Sequence, residues 1–250
     1  MKRIFIYTLV TILTMSSGCS DDDNNNLPGI KPEAQGTVTD KEGNEYGWVR
    51  YAGLDWLDCN FKAGEPYYKQ KRTDSWGDLV NNIDTDREQA AIDWENYGNM
   101  YTYEEAIKNA DLLPEGWRLP TDEDWKKLEQ AMGMSESETN AIGWRGTVEG
   151  ELLQQDATGS GMLLRLGGYA LIFGRPADLR HRHLRVHGYF WTATKIEEDN
   201  KNLAPNIYFR KVSCTSSQIE RNTTKSYDTN YEDNFPKYMS VRYVRDAQNN

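Results

Sequence analysis

The alternation of apolar and polar residues predicts short β-strands near both ends of the chain. Val38 and Tyr46 lie on either side of a polar stretch containing Gly43, a pattern typical of a strand, a tight turn and a second strand. A further short hairpin is predicted around Gly53. Beyond residue 160, strands are predicted at Met162 to Leu166, Tyr169 to Phe173, Tyr189 to Thr194, Asn206 to Val212 and Met239 to Val244.

Between these two groups of strands, three helix starts are predicted. Each begins with Ser or Thr followed three residues later by an acidic residue, which is the signature of a capping box. The pairs are Thr102 with Glu105, Thr121 with Asp124, and Ser135 with Glu138. Strands on both sides of a helical region favour an α+β fold over alternating βαβ units. We therefore expect a loop-rich domain with short antiparallel strands flanking two or three helices.

The N-terminus has the features of a secretion signal. Lys2 and Arg3 precede an apolar stretch from Ile4 to Met15, and small residues then lead to Cys19. This arrangement resembles a bacterial lipoprotein signal over residues 1–18, cleaved before Cys19. Acylation of Cys19, by palmitate among other chains, would anchor the mature protein in a membrane.

An acidic and asparagine-rich run follows Cys19 and predicts a solvated tether over residues 19–36. Such a run resembles the surface-export signal of bacteroidete outer-membrane lipoproteins. Loss of Lys2 and Arg3 on cleavage would change the formal charge from −10 to −12. We therefore expect an outer-membrane location, with the lipid-anchored domain exposed at the cell surface.

The composition adds that the core is aromatic. Leu, Ile, Val and Phe make up only 46 of the 250 residues, but 8 Trp and 15 Tyr provide large rings that can bury in their place. No apolar run reaches the roughly 18 residues of a membrane-spanning helix. The excess of acidic residues, 39 against 29 basic ones, argues against a nucleic-acid partner.

Two cysteines remain once Cys19 is set aside for acylation. Cys59 and Cys214 can form a disulfide in an export pathway, or they can be two small buried residues. No Cys/His cluster has the spacing of a zinc site, so we expect no metal and no cofactor.

The segment from Arg175 to His187 concentrates positive charge in an acidic protein and holds all three histidines. If Arg180 to His187 were a single strand, its alternation would place His181, His183 and His187 on one face together with Arg185. We predict a contact with an anion or a partner, involving Arg180, Arg182, Arg185, His181, His183 and His187. A solvated segment paired with the protein's own acids is the alternative, and metal binding is disfavoured by the arginine on the same face.

The aromatic residues divide into two predicted groups. Those in polar stretches can form a platform on which a sugar stacks: Trp76, Trp94, Tyr67, Tyr68 and Tyr231. Trp117, Trp125 and Trp191 are instead expected in the core.

Several motifs occur in an order that resembles a known family. The longest run is Leu113-Pro114-x-Gly116-Trp117-Arg118-Leu119-Pro120-Thr121. It is preceded by Asp40-x-x-Gly43-Asn44-x-Tyr46 and by Trp56 with Asn60, and followed by Tyr189-Phe190-Trp191-Thr192-Ala193-Thr194 and Ser240-Val241-Arg242-Tyr243-Val244-Arg245-Asp246. This series resembles the Fibrobacter succinogenes major paralogous domain over residues 37–246, leaving residues 247–250 as a tail.

The resemblance implies a C-type-lectin-like fold, shared with sulfatase-modifying factors, in secreted or surface lipoproteins of bacteria. Because a fold does not determine a function, three functions remain open. The first is non-catalytic capture of a glycan or peptide, or an accessory role in an outer-membrane transporter complex for nutrient uptake. The second is an enzyme related to sulfatase-modifying factors, although we find no catalytic constellation. The third is a structural or adhesive surface subunit.

Overall fold

The computed structural model describes residues 27–67, 69, 87–173, 178–196, 205–228 and 235–248. The predicted signal and residues 19–26 of the predicted tether, including Cys19, lie outside these residues, as do Trp76, Tyr68 and Tyr231. Within the described residues, no helix is long and apolar enough to cross a membrane.

Three four-stranded antiparallel sheets form the framework of the described part of the chain. The first sheet has the order β1 (Gln35–Thr39), β2 (Glu45–Tyr51), β3 (Leu54–Leu57), β12 (Val244–Asp246). The second has the order β10 (Tyr227–Asp228), β11 (Phe235–Tyr238), β5 (Tyr169–Phe173), β6 (Asp178–Arg182). The third has the order β4 (Gly143–Arg145), β9 (Ser216–Lys225), β8 (Asn206–Ser213), β7 (His187–Ile196).

Short helices follow β3 in the chain and precede β5. They are α1 (Arg87–Tyr97), α2 (Tyr103–Lys108), a 3₁₀ turn (Asn109–Leu112), α3 (Asp122–Ala131), α4 (Glu136–Asn140) and α5 (Glu149–Leu152). All three predicted capping boxes are formed, at Thr102, Thr121 and Ser135. The prediction of an α+β fold with antiparallel strands is confirmed.

Two of the predicted strands were wrong in part or in whole. Met162 to Leu166 has no regular structure, because the Arg242 guanidinium takes up the carbonyls of Met162 and Leu163 and Leu163 has a φ of 47°. Of Met239 to Val244, only Val244 belongs to a strand, β12, while Met239 and Ser240 form isolated bridges to other segments.

The core is built on aromatic rings, as the composition predicts. Trp56, Trp125 and Trp191 are completely buried, and Trp117 is nearly so. Trp56 packs edge-on against Trp125 with ring centres 5.1 Å apart, and Trp125 packs in turn against Phe190 of β7. These large rings supply the buried surface that the scarce aliphatic residues cannot.

Helix α3 is attached to the third sheet by a buried ionic network. Glu129 binds Arg145 of β4 and Arg210 of β8, with a nitrogen-to-oxygen distance of 2.6 Å to each. Asp122 binds Arg210 at 2.8 Å and Arg221 of β9 at 2.7 Å. Burial alone would raise the pKa of Asp122, but the hydrogen bonds and charges of Arg221 and Arg210 lower it to about 2.

A fourth buried guanidinium, outside this network, joins three separate segments. Arg242 donates to the side-chain oxygen of Asn60 at 2.7 Å, to the Leu57 carbonyl at 3.0 Å and to the Met162 carbonyl at 2.7 Å. Burial lowers its pKa to about 10, so Arg242 remains charged at neutral pH. The motifs around Asn60 and Arg242 therefore stabilise the scaffold.

We expect Glu129→Gln to destabilise the protein by about 3–5 kcal/mol, because it leaves two buried guanidinium groups without their shared carboxylate. Glu123→Gln on the same helix is the control: its side chain is 72% exposed, so its loss is expected to cost less than about 0.5 kcal/mol. Urea unfolding measures both. An unfolding free energy for Glu129→Gln equal to that of the control would contradict the role given to the network.

Candidate ligand-binding surface

The predicted strand from Arg180 to His187 is interrupted by a tight turn. Strand β6 ends at Arg182, and β7 begins at His187. Between them, His183 and Arg185 have φ values of 58° and 64°, in the left-handed region that non-glycine residues rarely adopt. The prediction that the histidines and Arg185 share one strand face was therefore wrong.

The turn brings two of the three histidines together. The His187 amide donates to the His183 carbonyl at 3.0 Å, and the ring centres of these residues lie 5.2 Å apart, edge to face. The Leu166 carbonyl, from a segment outside the turn, accepts a hydrogen bond from the Arg185 amide at 2.8 Å.

Five rings form a continuous surface at this turn, which we call the ring surface: Trp144, Tyr169, His183, His187 and Tyr189. Neighbouring ring centres are 6.4 Å apart for Trp144 and His187, 5.5 Å for Tyr169 and His183, and 5.1 Å for Tyr169 and Tyr189. The Tyr189 hydroxyl is 2.7 Å from Nδ1 of His183. Trp144 is 37% exposed and His183 is also exposed, Tyr169 and His187 are half-buried, and Tyr189 is buried, so a ligand can reach Trp144 and His183 most readily.

The third sheet extends the ring surface with a row of side chains across its four strands. Trp144 of β4 lies opposite Glu220 of β9, which lies opposite Lys211 of β8, which lies opposite Tyr189 of β7. Residues directly opposite each other in antiparallel strands share one face of the sheet. The Lys211 ammonium pairs with the Glu220 carboxylate and lies 4.8 Å from the Trp144 ring centre.

His181 points away from the ring surface. Its Nε2 lies 2.8 Å from the Gly167 carbonyl and its Nδ1 lies 3.0 Å from the Tyr67 hydroxyl. Since a carbonyl only accepts, Nε2 carries the proton and Nδ1 accepts from the hydroxyl. His181 is therefore a structural residue that joins β6 to the segment around Tyr67.

The three predicted arginines do not converge on one point. Arg182 lies opposite Tyr169 in the second sheet, so it flanks the ring surface, and Arg180 lies two residues further along the same strand. Arg185 is 64% exposed and approaches Asp93 of α1 at 3.7 Å. Of the six residues predicted to contact an anion or a partner, His183, His187 and Arg182 thus lie at or beside the ring surface, and the contact itself stays a prediction.

All three histidines have pKa values below the usual 6.5. Burial is the main cause in each case. The Lys211 ammonium lowers the pKa of both His183 and His187 further, whereas its charge does not act on His181. At neutral pH the ring surface therefore presents neutral imidazoles beside the cations of Lys211 and Arg182.

The two cysteines are free thiols in the structure, so no disulfide joins Cys59 to Cys214. Cys59 is half-buried, and burial raises the pKa of its thiol to about 11. Cys214 is exposed in a shallow hollow lined by Ser213, Thr215 and their neighbours, without Cys59. Among the described residues, no group of three or more His, Cys, Asp or Glu side chains is placed to hold a metal ion.

The aromatic residues of the ring surface differ from those that the sequence singled out for sugar stacking. Tyr67 is buried and Trp94 is half-buried beneath Lys62, whose ammonium lies 5.6 Å from its ring centre. Trp144 and Tyr169 were missed, because only strand pairing brings them beside the histidines. No motif in the sequence marks Trp144, and its exposure in the short strand β4 is visible only in the structure.

Lys211→Met tests the electrostatics of the ring surface. Removing the ammonium is expected to raise the pKa values of His183 and His187, while the pKa of His181 serves as an internal control and stays unchanged. Titration of the histidine ring signals by NMR measures all three values. Equal changes at the three histidines, or no change at His183 and His187, would contradict the geometry.

Comparison with known families places most of the chain in one of them. The model of the Fibrobacter succinogenes major domain matches residues 49–245, which span β2 to β12. Searches among characterised proteins and among solved structures find no match. The C-type-lectin-like character of the fold thus stays a prediction, beyond the α+β architecture described above. The matched region covers well over half of the sequence, and the chain belongs to the Fibrobacter succinogenes major domain family.

Proposed function

We propose that this protein is a lipid-anchored outer-membrane lipoprotein, exposed at the cell surface, that captures a glycan without altering it chemically. The anchor rests on the N-terminal sequence, with Cys19 as the acylated residue. The binding function rests on one structural observation, the ring surface. It offers apolar ring faces beside polar groups, a combination typical of small-ligand sites.

The chemistry of the ring surface suits a sugar. A pyranose presents C–H groups on its faces, which pack on aromatic rings, and hydroxyl groups at its edges, which need donors and acceptors. Trp144 and Tyr169 supply ring surface, and Nε2 of neutral His183, whose Nδ1 is engaged with the Tyr189 hydroxyl, can supply one donor or one acceptor. Lys211 and Arg182 add donors at the margin.

Backbone strain at the turn supports the same proposal. Left-handed φ values at non-glycine residues cost of the order of 1 kcal/mol or more each, and such residues concentrate at ligand sites. His183 and Arg185 both have such values within the single turn between β6 and β7, beside the ring surface. If the turn served only as a connection, glycine or asparagine at these two positions would remove the backbone strain.

A protein partner is the second candidate, as in an accessory subunit of an outer-membrane transporter complex. Exposed Val186 adjoins His187, and exposed Ile142 precedes Trp144 by two residues, which adds apolar surface. Exposed aromatic residues beside apolar ones are typical of partner contacts. A structural or adhesive subunit would use the same surface, and a sulfatase-modifying-factor-like enzyme would need a cysteine pair in one cleft.

Trp144→Ala is expected to weaken glycan binding at least about tenfold through loss of the exposed indole. Ile107→Ala on α2 is the matched control, because Ile107 is 44% exposed and lies outside the ring surface. Affinity electrophoresis against laminarin, xylan, galactomannan, polygalacturonate and hyaluronan measures the change. If no polysaccharide retards the wild-type protein, the glycan proposal fails, and capture of membrane partners that depends on Trp144 would favour the accessory subunit.

Cys19→Ala tests the anchor. The wild-type chain is expected in the outer-membrane fraction, labelled by a palmitate analogue and degraded by protease added to intact cells. The variant is expected to lose the label and leave the membrane fraction. A labelled variant, or a wild-type chain protected from protease until the cells are lysed, would contradict acylation at Cys19 or surface exposure respectively.

A further inference from the structure

A cleft separate from the ring surface lies beside the first hairpin. Its volume is about 700 Å³, within the range of small-ligand sites. Gln35 and Thr37 of β1 line one side, Asp58 lies at the end of β3, and the loop around Asp156 closes the other side. The half-buried indole of Trp48 forms another wall, and the guanidinium groups of Arg50 and Arg245 lie 5.5 Å and 5.4 Å from its ring centre.

Two glycines give the cleft its shape. A Cβ atom on Gly36 would lie 2.5 Å from the Trp48 ring, and one on Gly47 would lie 2.0 Å from the Asp58 carboxylate. Neither glycine has the positive φ that would require glycine on backbone grounds. Their role is therefore to let the Trp48 indole and the Asp58 carboxylate approach the backbone closely.

The Asp58 carboxylate is available to hydrogen-bond donors from a ligand. The Cys59 thiol hydrogen-bonds to it, and no other donor among the described residues does, although a carboxylate can accept about four such bonds. Asp58 is half-buried, and its charged neighbour is the buried guanidinium of Arg242. A ligand with two adjacent hydroxyl groups can fill the acceptor positions.

Charge balance in the cleft favours an uncharged ligand. Arg242 offsets Asp58 from behind, and Lys31 and Arg165 act on Asp156. Asp156 and Lys31 are also engaged within their own loop: Thr158 donates to Asp156 at 2.6 Å, and the Lys31 ammonium donates to the Thr158 carbonyl. A cation would therefore meet little net negative charge.

We propose that this cleft is a second binding site, which takes a neutral saccharide unit. Asp58 accepts hydrogen bonds from two adjacent hydroxyl groups, Gln35 and Thr37 bond further hydroxyls, and Trp48 packs against the apolar face of the sugar ring. The site shares no residue with the ring surface, so this proposal can be tested independently of the function proposed there.

The test is calorimetric titration of the full-length chain, purified in detergent, with xylotetraose, cellotetraose, laminaritetraose and maltotetraose in turn. At least one tetrasaccharide is expected to bind, and Asp58→Asn is expected to weaken that binding about tenfold or more. Asp111→Asn is the matched control and is expected to change it less than about twofold, because Asp111 is exposed and does not line the cleft. Gln35→Ala changes an exposed strand position, and it is expected to weaken the same binding even if Asp58→Asn disturbs Arg242.

Trp144→Ala separates this site from the ring surface. Binding that survives Trp144→Ala but not Asp58→Asn supports the cleft, and the reverse pattern overturns it. Failure of all four sugars to bind overturns the proposal as well. Titration with Ca²⁺ and with spermidine completes the test, because Asp58-dependent binding of either cation would overturn the assignment of a neutral ligand.

Discussion

The buried ionic network between helix α3 and the third sheet is the constraint on which the rest of the structure depends. Glu129 and Asp122 bind three guanidinium groups carried by three different strands. Each arginine of the network is adjacent in the chain to a residue on the opposite face of the sheet. Arg145 follows Trp144, Arg210 precedes Lys211, and Arg221 follows Glu220. A shift of pairing by one residue would exchange the two faces. The network therefore fixes the register that displays Trp144, Lys211 and Glu220 together.

Buried ion pairs contribute little net stability when compared with apolar packing, but their disruption is costly because an unpaired charge stays buried. This asymmetry suits a sheet with a scarce aliphatic core. The rings of Trp125 and Phe190 supply the packing around the network, and the charges specify which strand residues face inward. Stability and display of the ring surface thus have the same physical origin.

Local signals made much of the scaffold predictable from the sequence. The capping boxes at Thr102, Thr121 and Ser135 depend on residues three apart, and the first hairpins depend on turns of a few residues. Helix α1 and strand β9 were missed, since neither has a clear apolar periodicity. Strand β9 forms because β4 and β8 pair with both of its edges, and a sequence pattern does not report that environment.

The site was less predictable for a related reason. Residues of the family motifs, such as Asn60, Trp117 and Arg242, are buried and hold the scaffold together. Of the ring surface, only Tyr189 lies in a motif. The turn at His183 depends on the Leu166 carbonyl and on the glycine at position 168, where a Cβ atom would lie 2.1 Å from the Arg182 carbonyl. The sequence indicated the segment that holds the three histidines, but long-range contacts determine which of them lie on the ring surface.

The most direct test of the account is a map of ligand contacts on the protein in solution. Titration of isotope-labelled Asp58→Asn protein, in which the second site is weakened, with the oligosaccharide that this variant binds best is expected to shift the indole N–H signal of Trp144 and the ring signals of His183 and His187. The ring signals of buried His181 are expected to stay in place, because that imidazole is engaged with Tyr67 and Gly167. Binding that leaves the Trp144, His183 and His187 signals unchanged would contradict the central claim that the ring surface is where this protein captures its ligand.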